Sequence, residues 1–118
     1  MGSKAWYFVP GADAIKVIRL VKPLTEYLHC TTLDAQCFQP DAHTQYAVYY
    51  DDNGMYANAA FNKVAHDVLS KIHIWWGTYN GWFMVVKNVY DAKGRETQED
   101  MDVTVADFIK ICNSTIKS

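Results

Sequence analysis

Residues 46–58 read YAVYYDDNGMYAN and residues 72–86 read IHIWWGTYNGWFMVV, with FNKVAHDVLSK at 61–71 between them. Asn53-Gly54 and Asn80-Gly81 are dipeptides that enter positive φ at low cost, so each can reverse the chain between alternating strands. Two hairpins are therefore expected, one with arms at 45–50 and 55–58, the other with arms at 72–76 and 82–89. Between them the period changes to helical: Phe61, Val64, Ala65, Val68 and Leu69 share a face, and Asn58 or Asn62 can cap the entry. Phe83-Met84-Val85-Val86 is a continuous apolar run, the pattern of a central strand covered on both faces.

Working outward, 4–9 and 15–21 read as two short strands, the first ended by Pro10-Gly11 and the second alternating around Lys16 and Arg19. Pro23 suits the first turn of a brief helix with Leu24, Tyr27 and Leu28 on one face. Leu33, Ala35 and Cys37 alternate with polar residues as a further strand. Residues 91–102 are the one polar stretch, with a turn at Lys93-Gly94. Thr104 and Asp107 resemble a capping box ahead of a helix lined by Val105, Phe108, Ile109, Cys112 and Ile116. The expected fold is a single α+β domain over 1–118: a mainly antiparallel, twisted sheet of five to seven strands, with two or three short helices packed on one face.

At 118 residues the chain can bury a core without a metal or disulfide staple. No run approaches the roughly 20 apolar residues of a membrane-spanning helix, so a soluble, cytoplasmic protein with no membrane partner is expected. A formal charge of −2 argues against holding duplex DNA by phosphate neutralisation. Cys30, Cys37 and Cys112 are an odd set without a Cys-x-x-Cys, which reads as reduced, mostly buried thiols.

No residue constellation specifies a reaction. Asp51 and Asp52 fall at a turn, where neither burial nor a fixed partner is foreseeable. His29, Cys30, Cys37 and His43 have zinc-binding atoms but no compact ligand spacing, so neither a metal nor another cofactor is implied. His66 and Asp67 are adjacent in a helix and should point apart. His73 reads as a hydrogen-bonded strand histidine. The serines lack a Gly-x-Ser-x-Gly elbow, and Gly77 and Gly81 lack the Lys-Ser/Thr of a phosphate loop. Catalysis is the minority reading; a small hydrolase would have its site where the first hairpin meets the helix, gathering Asp51, Asp52, Asn58, Asn62 and His66, with Asn62 capping the helix and His66 packed a turn later.

The order of elements, with the acidic-acidic-x-Gly turn of Asp51, Asp52 and Gly54, the helix residues Asn62 and Ala65, and Gly77 before the last strand, resembles a family of small uncharacterised phage, viral and mobile-element domains. The likeness spans about residues 5–87. A doubled glycine of that pattern is replaced here by Thr31-Thr32. The resemblance implies an origin, a viral or mobile-element accessory protein in the host cell, rather than a chemistry.

What remains is aromatic. Tyr50 and Tyr56 around the first hairpin and Trp76, Tyr79 and Trp82 around the second exceed what one small core readily absorbs, and exposed Tyr and Trp anchor interfaces or stack on bases. These five are the candidate contact residues for a protein partner, with self-association through the same patch as a variant. The alternative is a pocket for a nucleotide or single-stranded nucleic acid, with Lys16, Arg19 and Lys22 steering phosphates.

Overall fold

The computed structural model describes residues 2–51, 60–72 and 78–116. Alternation sets the strands. In β4 (Thr44–Asp51), Tyr46, Val48 and Tyr50 turn to one face of the sheet and Ala47 and Tyr49 to the other. In β5 (Phe83–Tyr90), Phe83 and Val85 enter the first core and Met84 and Val86 the second, so the continuous apolar run does mark a strand buried on both sides. With β1 (Lys4–Phe8), β2 (Lys16–Arg19) and β3 (Leu33–Phe38), the sheet runs β2-β1-β5-β4-β3, every neighbour antiparallel. The short β6 (Glu96–Glu99) also pairs with β5, end to end with β1. Lys4 joins the two, its N–H donating to Asp100 Oδ1 at 2.8 Å and its carbonyl accepting from Met101 N–H at 3.0 Å. All four residues of β6 are exposed, and such a strand has no apolar alternation to betray it.

The α+β architecture is as expected, with six strands among the described residues. Helices α2 (Lys63–Leu69) and α3 (Val105–Ile116) share one face of the sheet, and a 3-10 turn, Ser70–Ile72, extends α2. The one-turn α1 (Leu24–Tyr27) covers the opposite face through Tyr27 and the following Leu28, so the helices flank the sheet rather than all lying on one side.

The ladders fix the neighbours that β4 and β5 take among the described residues. Tyr50 sits between Asp34 and Phe83, and Phe83 between Tyr50 and Phe8, which fills both edges of each strand there. Residues 55–58 and 73–76, His73 included, lie outside the described ones. Gly81 does take the positive φ its turn demands, +83°. That turn docks on the entry to α2: Gly81 N–H donates to Ala60 O at 2.8 Å, and Asn80 bridges Phe61.

Asn62 is the knot of this region. It is fully buried and caps α2 as expected, Oδ1 accepting from Ala65 N–H at 3.0 Å. Its Nδ2 donates to Phe8 O at 2.9 Å and Gly81 O at 2.7 Å, and its own N–H donates to Tyr79 O at 2.7 Å. One side chain thus ties the end of β1, the approach to β5 and the start of α2.

Helix α3 begins with Thr104 Oγ1 accepting from Asp107 N–H at 3.1 Å, half of the expected capping box. Phe108, fully buried, meets Trp6 at 5.2 Å and Tyr46 at 5.7 Å between ring centroids, both edge to face. Burying such a side chain contributes about 1.5–3 kcal/mol, with more from each favourable ring pair. At its C-terminal half Cys112 is buried deeply enough that its thiol is pushed up to about 12. Cys37, by contrast, is exposed, against the expectation of mostly buried thiols, and all three cysteines are free.

The hydrogen-bond parity leaves a definite open edge. Tyr90 N–H donates to His43 O at 2.8 Å, so 43, 45, 47 and 49 face β5, and 46, 48 and 50 face β3. Within β3, Asp34, Gln36 and Phe38 therefore bond to β4, whereas Leu33, Ala35 and Cys37 direct their N–H groups away from the sheet. Ala35 N–H accordingly finds its partner in Asp34 Oδ1, at 2.8 Å.

Three exposed carboxylates, two in loops and one on α2, contribute to the acid limb of stability. Backbone N–H donation from His43 lowers Asp41, Lys63 lowers Asp67, and Arg95 N–H lowers Asp91, each against an opposing desolvation. A depressed folded pKa gives stability that is present above the unfolded value, about 3.9, and lost as pH falls through the folded one. The thermal midpoint is expected to drop as pH falls below about 4, and a variant with Asn at 41, 67 and 91 should show a flatter profile. Equal slopes for the two would remove these carboxylates as the cause.

Candidate functional site

Helix α1 is held from below by tyrosines. Tyr27 Oη accepts from Val21 N–H at 2.9 Å, Tyr7 Oη donates to Tyr27 O at 2.5 Å, and Lys22 Nζ lies 4.8 Å from the Tyr27 ring centre. Past Leu28 the chain must turn back toward β3, and the residue that turns it is His29, at φ +52°. Glycine or asparagine is the usual choice just after a helix end, and a histidine in that conformation is uncommon and costs energy. Here the imidazole lies against the half-buried indole of Trp82, centroids 4.0 Å apart and planes 34° from parallel.

Beside this pair opens a cleft of about 490 Å³, lined by Thr25, Glu26, His29, Cys30, Thr31 and Asp51. Asp51 reaches it as the last residue of β4, paired with Leu33. The Cys30 thiol is pushed up, first by burial and then by the charge of Asp51. A thiol kept protonated is a poor nucleophile. Two carboxylates, two threonines and an imidazole backed by an indole make instead a surface for binding a cation with apolar contact alongside.

The five predicted contact residues do not form one patch. Tyr79 is 3% exposed, packed 6.0 Å from Phe83 and 5.7 Å from His66, so it is a core residue and no surface anchor. Tyr50 is half-buried on the α2/α3 face, 6.3 Å from Phe83, whereas Trp82 is on the α1 face. Alternation put more of these rings inside than the count of aromatics implied, because both faces of the sheet are covered. Trp76 and Tyr56 lie outside the described residues.

The basic residues proposed to steer phosphates do not converge on Trp82. Lys16 and Arg19 are three apart on a strand and point to opposite faces. Arg19 Nη1 is committed to Gly2 O at 2.8 Å, and Lys22 to the Tyr27 ring. The site imagined at the first hairpin also comes apart: Asn62 spends its amide on the fold, and Asp51 and His66 belong to opposite faces. Asp52 and Asn58 lie outside the described residues. His66 and Asp67 do approach, Nδ1 to Oδ1 at 3.4 Å, contrary to the expectation that they point apart, but both are half-exposed and Asp67 is held more closely by Lys63 at 3.0 Å.

His29 and Cys30 stand at the start of β3, Cys37 near its end, and His43 beyond it, with Nδ1 3.2 Å from Tyr90 O. Among the described residues no three His, Cys, Asp or Glu side chains gather as metal ligands, and no helix is long and apolar enough to cross a membrane. The sequence had offered His29 only as a zinc donor; its positive φ and its seat on Trp82 have no signature in the chain. Comparisons with protein-family models, with curated proteins and with solved structures found no match.

Proposed function

We propose that this protein works without catalysis, by binding another protein through the cleft beside His29 and Trp82, which receives a Lys or Arg side chain of the partner. The observation that carries the reading is that the His29 imidazole, stacked on Trp82, shares one opening with Glu26 and Asp51. Carboxylates near an aromatic face favour a cation and repel phosphate, which ranks a protein partner ahead of a nucleotide or single-stranded nucleic acid. The raised Cys30 thiol supports the absence of nucleophilic chemistry there. An accessory role in a virus or mobile element in its host cell is the origin that the resemblance over residues 5–87 favours.

Selection from a random heptapeptide library on the immobilised protein tests this. Enriched sequences should carry Lys or Arg, and enrichment should vanish on a Glu26→Gln/Asp51→Asn double variant that keeps the wild-type circular dichroism. Sequences enriched equally on both proteins would overturn the assignment. Quenching of tryptophan fluorescence by AMP at low salt, lost in Trp82→Phe, would favour the nucleotide reading instead.

A further inference from the structure

We infer that the outer edge of β3 accepts an extended cationic peptide as an added antiparallel or parallel strand, so that the partner is recognised by its backbone as well as by the side chain it places in the cleft. This rests on the reading of the cleft as a cation site and extends it to a mode of binding.

Among the described residues no strand pairs with this edge. Leu33, Ala35 and Cys37 turn their backbone groups outward, and Asp34, Gln36 and Cys37 are exposed. An unpaired row of N–H and C=O groups is a template for strand addition. The other outer edges are blunted. On β2 the outward residues are Val17 and Arg19; the Arg19 carbonyl accepts from Tyr27 Oη at 3.4 Å and its charge repels a cationic chain. On β6 the Gln98 carbonyl is taken by Ser3 Oγ at 2.9 Å.

The charge fits one kind of occupant. The cleft opens at the Leu33 end of the β3 edge, where Thr31 leads into the strand and Asp51 pairs with Leu33. A chain lying along β3 therefore runs toward Glu26 and Asp51. Near that end it meets Asp34, whose carboxylate now holds Ala35 N–H. An incoming carbonyl can replace that carboxylate on the N–H and free it to pair with a basic side chain of the peptide. The backbone bonds and the charge pairing then form together.

Fluorescence anisotropy with a labelled Arg-Val-Arg-Val-Arg-Val peptide tests the mode, alongside the same peptide N-methylated at alternate amides and a Glu-Val-Glu-Val-Glu-Val control. Ala35→Pro is the matching protein variant: it removes an N–H whose partner among the described residues is Asp34, and proline is tolerated at an outward-facing edge position. Loss of two or more backbone hydrogen bonds should weaken binding at least about tenfold for the N-methylated peptide in the more damaging of its two registers, and loss of the single Ala35 N–H in Ala35→Pro should weaken it about two- to tenfold. Glu26→Gln should weaken the unmodified peptide as well, and the Glu peptide should not bind. If N-methylation in both registers and Ala35→Pro leave affinity unchanged while Glu26→Gln reduces it, strand addition is overturned and the cleft reading survives. If none of the peptides binds, both fall. Should sedimentation show a dimer that Ala35→Pro dissociates, the occupant is a second copy of this chain, and the peptide proposal is overturned.

Discussion

Asn62→Ala is expected to destabilise the protein by about 3–5 kcal/mol, a large share of the roughly 5–15 kcal/mol available to a domain of this kind. The substitution removes the helix cap on Ala65 N–H and leaves the carbonyls of Phe8 and Gly81 buried without their donor. A buried group that loses its partner costs more than the bond itself contributed, because the desolvation remains. Asn62→Asp keeps the cap but sets a carboxylate against two carbonyl oxygens, and it should be at least as damaging at neutral pH. Urea unfolding of the three proteins is the measurement. A shift below about 1 kcal/mol for Asn62→Ala would show that water or local rearrangement replaces the amide, and that Asn62 does not tie these segments together.

Phe108→Ala is expected to cost about 3–5 kcal/mol by the loss of transfer energy and the cavity that follows. Its ring is the wedge between Trp6 on β1 and Tyr46 on β4, which are not adjacent strands but flank β5. The loss should therefore loosen α3 as a unit, so amide exchange across Val105–Cys112 should accelerate more than exchange in β4. Uniform acceleration through the whole chain would mean that α3 is no separately opening element, and a change under about 1 kcal/mol would mean that the site collapses around the missing ring.

Both of these residues carried a signal in the chain. Asn62 precedes a helical apolar face and has the side chain of a cap, although nothing in sequence shows the two carbonyls that it also serves. Phe108 falls on the i, i+4 face with Cys112. Strands whose two faces are both packed were legible because alternation or a continuous apolar run is itself the record of burial. Pairing was not. The Asn-Gly dipeptides report how cheaply a backbone reverses, a local property, whereas the neighbours of β4 and β5 are chosen by segments as distant as Phe8 and Leu33. Glu96–Glu99 was read as part of a polar stretch because a strand exposed on both faces leaves no pattern, and it is held by its hydrogen bonds to β5. The cleft was least legible of all. Trp82 was named, but its partner is fixed by one backbone dihedral at His29, and dihedrals of non-glycine residues are not written in composition or period.

The position of β5 has a consequence for the order in which this protein can be made. Trp6 waits for Val85, and Tyr49 for Met84, so the central strand of the sheet is synthesised after its neighbours on either side. Until the ribosome has released Phe83–Tyr90, β1 with β2 and β3 with β4 are two separate hairpins, each marginal in water and each with an apolar face and an unpaired edge. Nascent chains stalled before residue 83 should be protease-sensitive and bound by chaperones, and resistance should begin to rise once residue 90 has cleared the exit tunnel and be complete only when α3 has followed. Closing a loop that long before any sheet exists also predicts slow folding for a domain of this size.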